Sequence, residues 1–239
     1  VYMSINQFIR PESIKKGGKI GIISTARAIE KQEITIAINE IERHGYSVEI
    51  GKTIGSRQNQ FAGSDELRLD VFQSMIDNPE IDAILCARGG YGTARLLNKI
   101  NWSKFIRSPK WIAGYSDVTA LHNSISRLNI MSLHGIMPIN INDDSSKLAF
   151  EKLIEIIKGK ENHEITLPNH QFNNEKPCNG ILTGGNLSML YSLRGTPYDF
   201  IPDGRILFIE DLDEYLYHID RMMQNFELSG TLNSINAIV

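Results

Sequence analysis

The chain has 239 residues, 41% of them hydrophobic and 22% charged, enough to bury a sizeable core without disulfides or a metal. Lys+Arg 25 against Asp+Glu 28 leaves a net charge of -3, which offers no general attraction to nucleic acid or to an anionic membrane. Cys86 and Cys178 form neither a disulfide framework nor a CxxC site, and no apolar run reads as a leader or a membrane span, so the expected setting is reducing and cytoplasmic.

Residues 19–24 (KIGIIS) are a short β-branched run and read as a buried strand. Ile34, Ala37, Ile38 and Ile41 share one helical face, which predicts a helix over 30–43, stopped at Gly45; 46–50 is the second strand. A polar loop follows over 57–64. Helical spacing returns over 65–76 and Pro79 ends it. Residues 82–87 (DAILCA) are the third strand, 91–100 a helix, 110–113 the fourth strand, 117–127 a helix and 130–133 the fifth strand. This alternation predicts an α/β fold with a mostly parallel sheet and helices on both faces. Sites in such sheets gather at the carboxyl ends of the strands. Beyond Pro138 the polar run 140–146 (NINDDSS) reads as a linker. Helices are expected over 149–157, 186–193 and 215–226, strands over 178–183 and 205–210, and Ile238-Val239 reads as part of a last strand. The expected organisation is an N-terminal domain over 1–145, a linker region over 146–174 and a partial C-terminal domain over 175–239.

Three segments carry possible chemistry. In WIAGYSDV (111–118) a strand ends at Gly114 and a helix opens just past Ser116. A serine at such a bend projects above the sheet edge, faced by the first helical N–H groups. It reads either as a nucleophile or as a helix cap. In ARGGYGT (87–93) three glycines follow a strand and let backbone N–H groups approach a ligand. The segment is neither a P-loop nor a full GxGxxG. A bare turn and a phosphate cradle stay open; beside a nucleophile it makes an oxyanion hole, with donors from Gly89, Gly90 and the Asp117 amide. In the third segment Glu210 continues an apolar strand and is the acidic residue placed for partial burial, which calls for a partner such as an imidazole. Asp213 and Glu214 read as caps of the following helix.

Of six histidines, His134 alone falls at the right sheet edge, and His122 is expected to point away from Ser116. No HExxH or comparable ligand set is present, so no metal and no cofactor is expected. Asn186 and Ser188 follow Gly184-Gly185 in what reads as a second glycine turn entering a helix.

Taken in order, ARGGYGT at 87–93, GYSD at 114–117 with Thr119-Ala120-Leu121, His134-Gly135, LTGGN at 182–186, and 208–210 with YHIDRM at 217–222 resemble the LD-carboxypeptidase family, serine peptidases of the S66 type. Its members include muramoyl-tetrapeptide carboxypeptidases and microcin C immunity hydrolases. The resemblance covers nearly the whole chain from Gly21 onward. It implies a Rossmann-like N-terminal domain carrying the nucleophile and a smaller C-terminal α+β domain, incomplete here, carrying the glutamate and histidine of a triad. It implies Ser116 as nucleophile, Glu210 as the carboxylate that orients the histidine, and Gly89, Gly90 and Asp117 around the oxyanion. Arg88 and Tyr91, in the same glycine loop, are the candidates for substrate contact. The implied reaction releases the terminal D-alanine of a cytoplasmic murein tetrapeptide, in a homodimer without metal. Family members are longer, with their catalytic histidine in the last part. The chain is therefore expected to lack that segment and to hydrolyse little by itself, and His134 matches a family position outside the triad. Two other readings remain: a hydrolase of peptidyl or aminoacyl nucleotide antibiotics, and a non-catalytic ligand-binding protein if the chain naturally ends at Val239.

Overall fold

The computed structural model describes residues 8–239 except 162 and 175. In chain order the regular elements are β1 (Lys19–Ile23), α1 (Thr35–Arg43), β2 (Ser47–Ile50), α2 (Asp65–Asp77), β3 (Ala83–Cys86), α3 (Ser103–Arg107), β4 (Trp111–Gly114), α4 (Thr119–Arg127), β5 (Leu133–His134), α5 (Asp144–Ile157), β6 (Leu182–Asn186), α6 (Leu187–Ser192), β7 (Ile206–Glu210), α7 (Leu216–Leu228), α8 (Thr231–Ser234) and β8 (Ala237–Ile238). The first five strands form one sheet in the order β2-β1-β3-β4-β5, parallel at every junction. The order reverses between β1 and β3, which opens a crevice at their carboxyl ends.

Alternation along the strands explains the two layers. Ile84 and Cys86 of β3 meet Phe72, Met75 and Ile76 of α2, Phe105 of α3 and Leu121 of α4. Ala83 and Leu85 face the other way, onto Ile41 of α1 and Phe150 and Ile154 of α5. Side chains two apart on a strand share a face, so both faces of β3 must be apolar and both must be covered. The second sheet is β6-β7-β8, again parallel among the described residues. Leu187 and Leu190 of α6 pack with Leu207, and with Met222 and Phe226 of α7, over that sheet.

Four expectations are corrected. Residues 91–100 make two short 3-10 turns, Thr93–Arg95 and Leu97–Lys99, because side chains capture the backbone at 92–93 that a helix would need. The fifth strand is Leu133–His134, later than expected, because Asn129 turns the chain at φ +56 and Ile130 bridges back to Ile9. The polar run 140–146 opens α5: Asp143 accepts from the Ser146 N–H, Ser146 caps back, and the apolar face of α5 enters the first core. The strand expected at 178–183 is β6, so Gly184-Gly185 lies in a strand; only Asn186 and Ser188 lead into a helix.

Candidate active site

β4 must bend sharply after Gly114, where a Cβ would lie 2.9 Å from Val118 Cγ2 and 3.1 Å from Cys86 Cβ. Ser116 then adopts φ +61, the left-handed region that costs a non-glycine residue about 1 kcal/mol or more. Its hydroxyl caps neither the following 3-10 turn nor α4. The helix-cap alternative is thus not what the structure holds. A strained serine at a strand-to-helix bend keeps its Oγ above the sheet edge.

The glycine loop presses against this bend. A Cβ on Gly89 would lie 3.0 Å from Ser116 Cβ, 3.1 Å from its Oγ and 3.5 Å from the Asp117 nitrogen. Gly90 has φ +113, and a Cβ there would meet Arg27 at 2.9 Å. Gly89 and the Asp117 amide are therefore brought together against Ser116, while Gly90, the next residue of the loop, packs on Arg27. The Asp117 side chain holds the loop: it is fully buried and accepts from the Thr93 N–H at 2.8 Å. Burial raises its carboxyl above the usual range, opposed by the Thr93 hydroxyl and the Thr93 and Gly92 amides. Behind it, the fully buried Arg68 donates to the Gly92 carbonyl at 3.0 Å and pairs with Asp65. Thr25 and Thr93 share a 2.7 Å hydrogen bond. Sequence reasoning missed Arg68 and Thr25, since nothing local distinguishes them. Arg88 donates to the Ala28 carbonyl at 3.0 Å, and Tyr91 lies half exposed against Phe61 with ring centroids 5.9 Å apart.

The second sheet delivers the carboxylate. Glu210 ends β7 opposite Asn186 of β6. The Asn186 N–H donates to Thr119 Oγ1 at 3.0 Å, which ties β6 to the first turn of α4. A Cβ on Gly185 would stand 2.6 Å from that oxygen, so the glycine permits the approach. Burial chiefly, and the Asp211 charge, push Glu210 above the usual carboxylate range; the Asn186 amide and the Ser116 backbone N–H oppose them. Nucleophile candidate and carboxylate thus meet across the two sheets. Asp211 accepts from Asn186 Nδ2 at 3.2 Å and from the Ser188 N–H at 2.9 Å, a bracing role the sequence reading did not assign. Asp213 and Glu214 do not cap α7 as expected: Tyr215 is its N-cap residue without a side-chain bond, Asp213 turns at φ +64, and Glu214 pairs with His218 at 2.8 Å.

The hydrogen-bonded histidines are engaged away from Ser116. His122 bonds the Gly114 carbonyl and the Ser132 hydroxyl, both at 2.8 Å, and burial lowers its pKa to about 4. His163 bonds the Lys160 carbonyl, and His170 the Phe172 amide. His134 Nε2 lies 3.6 Å from Glu210 Oε1. Among the described residues no group of three or more His, Cys, Asp or Glu is placed to hold a metal ion, and no helix is long and apolar enough to cross a membrane.

Residues 20–135 match the model of the LD-carboxypeptidase N-terminal domain, and residues 179–239 that of the LD-carboxypeptidase C-terminal domain. A probable murein peptide carboxypeptidase of Bacillus subtilis (strain 168) is 33% identical over 236 residues, covering 96% of this chain and 73% of the relative. A murein tetrapeptide carboxypeptidase of Pseudomonas aeruginosa is 28% identical over 231 residues, 92% of this chain and 75% of the relative. Microcin C7 self immunity protein MccF in its wild-type apo state superposes with a TM-score of 0.85 at 23% identity, covering 96% of this chain and 79% of that one; at this identity the likeness is one of fold.

Proposed function

The chain belongs to the LD-carboxypeptidase family, and from that premise we propose that it is a serine-type carboxypeptidase with Ser116 as nucleophile. The observation that carries the proposal is the strained Ser116 bend, wedged against Gly89 and reached from the second sheet by Glu210. An imidazole oriented by Glu210 takes the hydroxyl proton, and Ser116 Oγ attacks the carbonyl before the terminal D-residue. Backbone N–H groups of Gly89, Gly90 and Asp117 hold the oxyanion. D-alanine leaves, and water releases the acyl-enzyme. The substrate is a murein tetrapeptide met in the cytoplasm, with Arg88 and Tyr91 at its carboxylate end. The enzyme acts as a homodimer and needs neither cofactor nor metal. The N-terminal domain runs through α5, whose apolar face packs in the first core, and residues 158–174 lead to the C-terminal domain over 175–239.

Among the described residues no imidazole is hydrogen-bonded to the Ser116 hydroxyl, so residues 1–239 alone should turn over little substrate. The test is therefore made on the natural chain at its full coding length. Disaccharide-tetrapeptide should release D-alanine, and S116A should abolish the release while leaving the fold intact. Undiminished release by S116A refutes the proposal. A second reading, hydrolysis of peptidyl or aminoacyl nucleotides, draws on one observation. Tyr215 and Tyr217, 70% and 61% exposed, stack at 5.9 Å just beyond Glu210 and present a platform for a base. Turnover of an aminoacyl sulfamoyl nucleoside in preference to the tetrapeptide selects it.

A further inference from the structure

The reaction proposed above leaves one imidazole beside the bend without a task. β5 is two residues long and ends at His134, directly opposite Gly114 of β4, two residues before Ser116. Its imidazole stands edge-on to Phe208 at 5.0 Å. Phe208 and Glu210 are two apart on β7 and so share one face of the strand. Glu210 Oε1 and His134 Nδ1 are both buried without a hydrogen-bond partner among the described residues, and Nε2 of the same imidazole faces Oε1 at 3.6 Å. An unpaired buried carboxylate oxygen is costly, and a donor within a few tenths of an ångström of bonding distance is the available remedy.

The neighbouring imidazole cannot supply that donor. His122, whose ring is centred 5.9 Å from that of His134, spends Nε2 on the Gly114 carbonyl. A carbonyl only accepts, so Nε2 carries the proton and Nδ1 accepts from the Ser132 hydroxyl. Both nitrogens of His122 are thereby used in holding the end of β4.

We infer that His134 is a positioning residue for the Ser116 reaction: as a neutral Nε2–H tautomer it donates to Glu210 Oε1 and so aims the carboxylate that orients the catalytic imidazole. This rests on the reading of Ser116 as nucleophile and Glu210 as its orienting carboxylate. The electrostatics agree. Burial, with His122 adding, lowers His134 to about 3, so at neutral pH it offers a neutral N–H. A neutral donor fixes direction without adding a charge that would compete with the imidazolium formed during the reaction. The groups that face Glu210 are Asn186 from β6, Asp211 from the end of β7, and Tyr115 and the Ser116 N–H from the bend; His122 of α4 stands behind His134.

The experiment uses the natural full-length chain and D-alanine release. His134→Phe keeps the packing on Phe208 and removes the donor, while His134→Gln places an amide N–H near the position of Nε2. In H134F, kcat should fall about 10- to 100-fold with KM nearly unchanged, the loss expected for one hydrogen bond to a charged group. The acid limb of its pH–rate profile should move to higher pH, because Glu210 loses a bond that favours its ionised form. H134Q should recover kcat to within about threefold of wild type and restore the limb. An H134F enzyme with unchanged kcat and limb overturns the inference. So does an H134Q as inactive as S116A, which would make His134 the base itself. If S116A is dead and H134F is normal, only the His134 role falls; an active S116A removes the underlying reading. Should H134F fail to fold, imidazole 15N shifts decide independently: His134 should be the Nε2–H tautomer and respond to E210Q. An Nδ1–H tautomer, or indifference to E210Q, refutes the role.

Discussion

Replacing Gly89 by alanine adds one methyl group at the point where loop and bend touch. Gly89 is not among the glycines with positive φ, so the backbone accepts alanine and the whole effect is steric. The new carbon would stand 3.0 Å from Ser116 Cβ and 3.1 Å from its Oγ. Favourable carbon contacts begin at about 3.5 Å, so roughly half an ångström must be found. The loop has little to give. The Ala87 N–H is held by the Ile23 carbonyl at 2.6 Å, Arg88 by the Ala28 carbonyl at 3.0 Å, and the Thr93 N–H by Asp117 at 2.8 Å. Overpacking of this size costs about 1–2 kcal/mol. For a chain of this length that lowers Tm by about 2–8 °C. The reaction suffers more, since displacing nucleophile and oxyanion donors by a fraction of an ångström approaches the misplacement that costs about 100-fold. The assay is kcat/KM for D-alanine release by the natural chain, with a melting curve for each protein. If G89A melts as expected yet keeps kcat/KM within about threefold, the loop does not serve the nucleophile and the oxyanion assignment fails.

Two stability measurements follow from other parts of the structure. In G184A the new Cβ would lie 2.0 Å from the Phe208 carbonyl oxygen, at φ +124, so β6 and β7 must separate; a loss of about 3 kcal/mol or more is expected in urea unfolding. G204A is its control, because at φ +68 with nothing within 4 Å it should cost only about 1 kcal/mol of backbone strain; equal losses in the two variants would show that the sheet contact does not matter. Stability should also decline as pH falls. His122 takes up its proton near 6.5 when unfolded and only near 4 when folded, so its contribution is complete above 6.5 and is lost as pH falls from 6.5 to about 4, amounting to about 3 kcal/mol. His134, lowered in the same direction, adds to the decline. His122→Gln should flatten the slope of unfolding free energy against pH across that window, and an unchanged slope would mean that His122 is not buried neutral.

Much of the architecture was legible because the carrying signals are local. The apolar runs of β1, β3 and β4 must be covered on both faces, and the strand–helix alternation permits few other arrangements. The Ser116 bend and the 87–93 loop were legible for the same reason: a small-residue turn at the end of a buried strand shows in a few consecutive residues. Sequence misjudged a segment whose backbone bonds go to side chains far along the chain, and one whose local polar pattern has two meanings. Residues 91–100 failed to become a helix because Asp117 and Arg68 claim Gly92 and Thr93. The run at 140–146 looked like a linker because a capping box and a polar turn share one composition. Glu210, the glycine loop and His134 could be singled out from sequence, but how they come to face the bend is decided by tertiary structure. Glu210 arrives there because Thr119 anchors Asn186, and glycines at 184 and 185 let β6 close on both β7 and α4. His134 reaches Glu210 only because β5 ends where the two sheets meet. Such contacts join residues tens of positions apart, and no periodicity or local spacing encodes them; they exist only once both cores have packed.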